Sequence, residues 1–115
     1  MSLFNLKVFP SFNSQLNKFI KKYPKEKENL IIIINNLNPQ KASRMQGFGN
    51  VEVYKMRVPL KKYKISKSNG LRIIFIVFKN IIIPFALYQH SEFHDFKDEK
   101  KYIIEKFNKI LEELD

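Results

Sequence analysis

Apolar and polar positions alternate from Leu3 to Phe9, with Phe4, Leu6 and Val8 set against Leu3, Asn5 and Lys7. Pro10 closes this run because it cannot donate to a strand ladder, so a first strand is predicted. Ser11 then stands where a helix N-cap belongs. Phe12, Leu16, Phe19, Ile20 and Tyr23 follow at helical spacing, with Asn17, Lys18, Lys21 and Lys22 on the opposite face. Beyond Pro24, Lys25 to Asn38 continues the period through Leu30, Ile33, Ile34 and Leu37, which predicts an antiparallel helical pair. The alternative is a buried strand at Leu30 to Ile34, since four consecutive isoleucines favour strands.

Asn38 to Asn50 reads as a loop ending in Gly47-Phe48-Gly49-Asn50. From Val51 to Leu60 the alternation resumes, placing Val51, Val53, Lys55 and Arg57 on one face and Glu52, Tyr54, Met56 and Val58 on the other. A basic connection, Lys61 to Gly70, ends in the turn signal Asn69-Gly70. Leu71 to Phe78 forms the next strand, and Lys79-Asn80 closes a hairpin onto Ile81 to His90. In that last strand Ile82, Pro84, Ala86, Tyr88 and His90 share a face, and Pro84 marks an edge or a bulge. Asp95 caps a C-terminal helix with the apolar stripe Ile103, Phe107, Ile110, Leu111 and Leu114. The expected fold is α+β: an N-terminal strand, a helical hairpin, a three-stranded antiparallel meander and a C-terminal helix. Helices pack on one face of a mainly antiparallel sheet and leave the other face free.

Length and composition narrow the setting. The 115 residues fit a single domain, 1–115, and 44% of them are hydrophobic, enough to fold without a metal or crosslink. The absence of Cys removes disulfides, thiolate metal sites and a Cys nucleophile, and makes a reducing cytoplasm the natural home. The first residues have no signal-peptide pattern and no run is long enough to span a bilayer, so no membrane association is expected.

The net charge of +10 is unevenly placed. Between Asn29 and Ser91 ten Lys and Arg residues face the single acid Glu52, whereas Glu92 to Asp115 carries eight acids and five Lys. The middle segment suits a polyanion, although a lysine-rich solvated surface has the same composition.

Candidate chemistry is limited by what is missing: no Gly-rich phosphate loop, no carboxylate cluster at metal-ligand spacing and no nucleophile elbow. His90 and His94 would face together only on a helix, and His90 ends a strand, so no metal site is expected. There remain cations, a histidine and aromatics at the ends of adjacent strands, a set that can cut RNA without a cofactor. A ribose 2′-hydroxyl attacks the phosphate once its proton is taken, cations stabilise the charge that develops, and the departing 5′-oxygen is protonated. Histidine suits either proton transfer, and aromatics stack unpaired bases.

Tyr54-Lys55-Met56-Arg57-Val58-Pro59, then Lys67-Ser68-Asn69-Gly70-Leu71-Arg72-Ile73-Ile74-Phe75, then Tyr88-Gln89-His90-Ser91-Glu92-Phe93 resembles the RelE/ParE toxin superfamily in order and spacing. That family has a K-x-R strand, a basic turn, a G-x-R strand and a last strand often ending in H-S-E/D. The helical pair ending in Lys21-Lys22-Tyr23 and the Gly47-Phe48-Gly49 loop are also similar. The resemblance implies a toxin of a type II toxin–antitoxin pair that cuts mRNA at the ribosome, with a cognate acidic antitoxin as partner. It implies that Arg72 contacts the scissile phosphate, that Arg57 and Lys55 are its cationic companions, and that His90 is catalytic. Phe93 is similar to the aromatic that follows this histidine. Lys61, Lys62, Lys64 and Lys67, with Tyr88 and Phe93, would form an RNA-binding rim.

Other readings stay open. The fold also serves non-enzymatic inhibitors of DNA gyrase, and an inactive RNA-binding relative would share it. Arg72 would alternatively pair with Glu52 at the sheet edge, and His90 would alternatively bond a backbone group. The last helix is either part of the core or a lid that a partner helix replaces. It is longer than the tails of most ribosome-dependent members.

Overall fold

The computed structural model describes residues 4–114. The chain runs β1 (Asn5–Leu6), α1 (Pro10–Lys22), α2 (Lys27–Asn35), β2 (Ser43–Arg44), β3 (Glu52–Val58), β4 (Leu71–Phe78), β5 (Ile81–Gln89) and α3 (Phe96–Leu114). One five-stranded sheet has the order β1-β5-β4-β3-β2, with β1 parallel to β5 and every other pair antiparallel. The α+β class and the element order expected from the sequence are those observed. Leu3, the first position of the expected N-terminal strand, lies outside the described residues, and β2 was not foreseen in the loop it occupies. No helix among the described residues is long and apolar enough to cross a membrane.

The isoleucine run is helical. Leu30 and Ile34 are buried while Ile31 and Ile32 are exposed, the one-sided burial of a helix and not the alternation of a strand. Helix α1 starts differently from expectation. Phe9 is its N-cap and Pro10 fills the first turn, where a missing N–H removes no helical bond. Ser11 donates instead, through its backbone N–H at 2.9 Å and through its hydroxyl, to the Glu113 carboxylate of α3. Asp95 caps α3 as predicted, its Oδ1 accepting the Asp98 N–H at 2.9 Å.

The sheet is buried on both sides. Phe12, Phe19, Leu30 and Ile34 of α1 and α2 pack on Val58, Leu71, Ile73, Phe75 and Leu87. Ile103 and Ile110 of α3 pack on the opposite face, against Val53, Ile74, Ile76, Ile83 and Phe85. The face expected to be free is therefore covered, because the apolar positions of that face and the stripe of α3 each need a partner. Double burial also explains why Ile73 to Val77 reads as an unbroken apolar run.

Strand β5 departs from simple alternation. Ile74 pairs with Ala86 but Phe75 with Pro84, so Phe85 is an extra residue in a β-bulge. The bulge reverses the parity of the strand: Ile82 belongs to the layer under α1 and α2, whereas Ala86 and Tyr88 belong to the layer under α3. The single face expected for Ile82, Pro84, Ala86, Tyr88 and His90 is split at Phe85. β1 covers only the start of β5, and further along the Gln15 side chain of α1 takes the place of a strand. It donates to Phe85 O at 2.8 Å and accepts the Leu87 N–H at 2.9 Å.

Candidate RNA-cleaving site

Strand register brings the candidate residues together. Arg57 of β3 lies opposite Arg72 of β4, which lies opposite Tyr88 of β5, so the three form one row across the sheet. Lys55 is two residues along β3 on the same face. His90 follows in the 3-10 turn after β5, and its N–H donates to Gly70 O at 2.9 Å. Gly70 itself cannot be replaced: a Cβ would lie 2.2 Å from Val58 O. The Asn69-Gly70-Leu71 segment thus holds the start of β4 tightly against the end of β3 and fixes His90 beside both.

The members of this group have different environments. Arg57 is exposed. Arg72 is only 3% exposed, and its guanidinium donates to Lys67 O and Ser68 O, each at 2.9 Å, while Nε has no hydrogen-bond partner. Burial lowers the Arg72 pKa and the neighbouring Arg57 charge lowers it further. Glu52 is not its partner: that carboxylate pairs with Arg44 at 3.7 Å and accepts from the Tyr54 hydroxyl at 3.1 Å. Arg72 ties the basic connection between β3 and β4 to the sheet. Lys61, Lys62, Lys64 and Lys67 on that connection are all exposed, a cationic rim next to the row.

Lys55 is mostly covered and its pKa is lowered, chiefly by burial, with Arg57 and Arg72 adding to the effect and Glu99 opposing it. Tyr88 is 1% exposed, so its ring packs and does not offer a face to a base. The ring stands edge-on to Phe93 at 5.2 Å and to Tyr102 at 5.5 Å. Phe93 is half-buried. Of these residues His90 and Arg57, with the rim lysines, are the accessible groups, and the His90 side chain is 45% exposed.

Sequence reasoning missed Glu99. Its carboxylate, buried under α3, accepts the Tyr88 hydroxyl at 2.6 Å and lies 3.7 Å from Lys55 Nζ and 3.6 Å from His90 Nδ1, all three through Oε2. In the sequence Glu99 is one of several acids in the first turn of an amphipathic helix, where the helix dipole alone accounts for it. Only the packing of α3 on the face that carries Lys55 and Tyr88 reveals the contact.

No protein-family model, curated protein or solved structure matches the chain. Among the described residues no three His, Asp or Glu side chains stand together in a way that could hold a metal ion. Clefts of about 540 and 450 Å³ lie beside α1, but neither is lined by a histidine or an arginine, and size alone does not mark them as the reactive site. The cluster of Arg57, Arg72, Lys55 and His90 sets three cations beside one imidazole.

Proposed function

We propose that the protein is an RNA-cleaving toxin of the RelE/ParE type, acting in the cytoplasm on ribosome-bound mRNA and neutralised by an acidic antitoxin. The observation that carries this reading is that His90, half-exposed, follows two residues after Tyr88, which ends the row begun by Arg57 and Arg72, and shares the Glu99 carboxylate with Lys55. A module that only bound a polyanion would need the cations and not the imidazole.

In the proposed reaction the 2′-oxygen of a ribose forms a bond to the adjacent phosphorus while His90 takes the hydroxyl proton. The P–O5′ bond breaks and the same proton is returned to the departing 5′-oxygen. The products are a 2′,3′-cyclic phosphate and a 5′-hydroxyl, with no net proton gained or lost. Arg57 contacts the phosphate, and Arg72 and Lys55 contribute positive potential from beneath it, where low solvent access strengthens their effect. Lys61, Lys62, Lys64 and Lys67 guide the strand, and Phe93 supplies the half-buried aromatic at its edge.

Induced expression without a partner tests the proposal. Growth arrest with discrete cuts in translated messages is expected, and Arg57→Ala should remove the cuts. Intact messages together with collapsed plasmid supercoiling would replace this reading with gyrase inhibition.

A further inference from the structure

We propose that Glu99 is a positioning residue for His90, which rests on the RNA-cleaving reading for its role in the reaction. Three side chains from separate elements surround one oxygen of its carboxylate: Lys55 from β3, Tyr88 from β5 and His90 from the turn after β5. The Tyr88 bond, at 2.6 Å, anchors that oxygen. His90 Nδ1 is buried and has no hydrogen-bond partner, and Glu99 Oε2 lies at 3.6 Å, within ion-pair range but too far for a hydrogen bond. Because Nδ1 is the buried nitrogen on a side chain that is 45% exposed, the accessible part of the ring lies toward Nε2. A carboxylate beside Nδ1 keeps the proton there in the neutral ring and leaves Nε2 free to accept one from substrate. It also stabilises the imidazolium that exists while His90 carries the proton between the two oxygens.

The packing supports a permanent role. Ile103 and Ile110, one and three turns further along α3, are fully buried against the sheet, so the helix that carries Glu99 is fixed by the core. The Tyr88 ring that anchors the carboxylate is itself held edge-on to Tyr102 at 5.5 Å, and the Arg72 charge interacts favourably with Glu99.

The test uses the full-length protein with ring-¹⁵N-labelled histidine. The wild type should show His90 with its proton on Nδ1, and Glu99→Gln should shift the population toward the Nε2–H form. In the same variant kcat for RNA cleavage should fall by roughly 100-fold while KM stays within about twofold, since Arg57 and the lysine rim are untouched. Tyr88→Phe keeps the ring and removes only the anchoring hydroxyl, so it should shift the tautomer in the same direction even if Glu99→Gln does not fold. An unchanged His90 tautomer in a folded variant would overturn the inference. A shifted tautomer in a protein that cuts no RNA would support the positioning and overturn the nuclease reading, so the two fail separately.

Discussion

The Tyr88 hydroxyl donates to Glu99 Oε2 at 2.6 Å and so joins β5 to the first turn of α3 directly under the cationic row. The helix that completes the hydrophobic core therefore also supplies the only acid in contact with Lys55 and His90 among the described residues.

Because α3 covers Ile74, Ile76, Ile83 and Phe85, removing the chain from Lys100 onward should leave an aggregating protein. Ile103→Ala or Ile110→Ala should each cost about 2–5 kcal/mol in urea unfolding. A soluble deletion variant that still arrests growth would show that α3 is a detachable lid.

Arg57 and Arg72 should separate function from stability. Arg57 is exposed, so Arg57→Ala should leave the urea midpoint nearly unchanged while cleavage falls by roughly 100-fold. Arg72→Ala also unties Lys67 and Ser68 carbonyls from a buried guanidinium and should lose about 2 kcal/mol or more of stability. Equal destabilisation by the two variants would contradict this division.

Gln15→Ala should leave the Leu87 N–H and the Phe85 carbonyl without their partner on the uncovered edge of β5. A loss of about 1–3 kcal/mol is expected, with increased self-association at high concentration. Unfolding curves and light scattering read both effects.

The alkaline limit of stability should involve Tyr102. Burial raises its pKa to about 12, and burial with the Glu99 bond raises that of Tyr88 as well. The unfolded chain ionises its tyrosines near pH 10 while the folded chain holds these two neutral. Their contribution is complete below pH 10 and is lost as pH rises, through about 12 for Tyr102. Lys55 has the opposite sign, since a lowered pKa makes its contribution increase with pH up to its ordinary value. Urea midpoints at pH 9 and pH 11 should drop for the wild type, and drop less for Tyr102→Phe.

What the sequence disclosed follows from how local each signal is. The alternation in β3 placed Lys55 and Arg57 on one face because nothing interrupts that strand. The same rule misplaced the first half of β5, since the extra residue Phe85 changes parity and Pro84 signals a bulge without saying where faces exchange. Arg72 reads as an exposed strand cation, and only the return of the Lys67 and Ser68 carbonyls over it makes it buried. Glu99 was illegible for a similar reason: a helix N-terminus accounts for an acid there, and its distance from Lys55 in the chain hides their contact. The face assigned to solvent was the largest misreading, because the partner of the α3 stripe is set by tertiary packing.

In the proposed reaction the 2′-hydroxyl beside the scissile phosphate is the nucleophile and His90 moves its proton. The most direct measurement incubates purified protein with ribosomes carrying two versions of one message, all-ribose and with a single 2′-deoxy residue at the mapped cut. Cleavage of the all-ribose message to a 2′,3′-cyclic phosphate and a 5′-hydroxyl, with none at the deoxy position and none by His90→Ala, is the predicted result. Equal cleavage of both messages, or cleavage by His90→Ala at the wild-type rate, would contradict it.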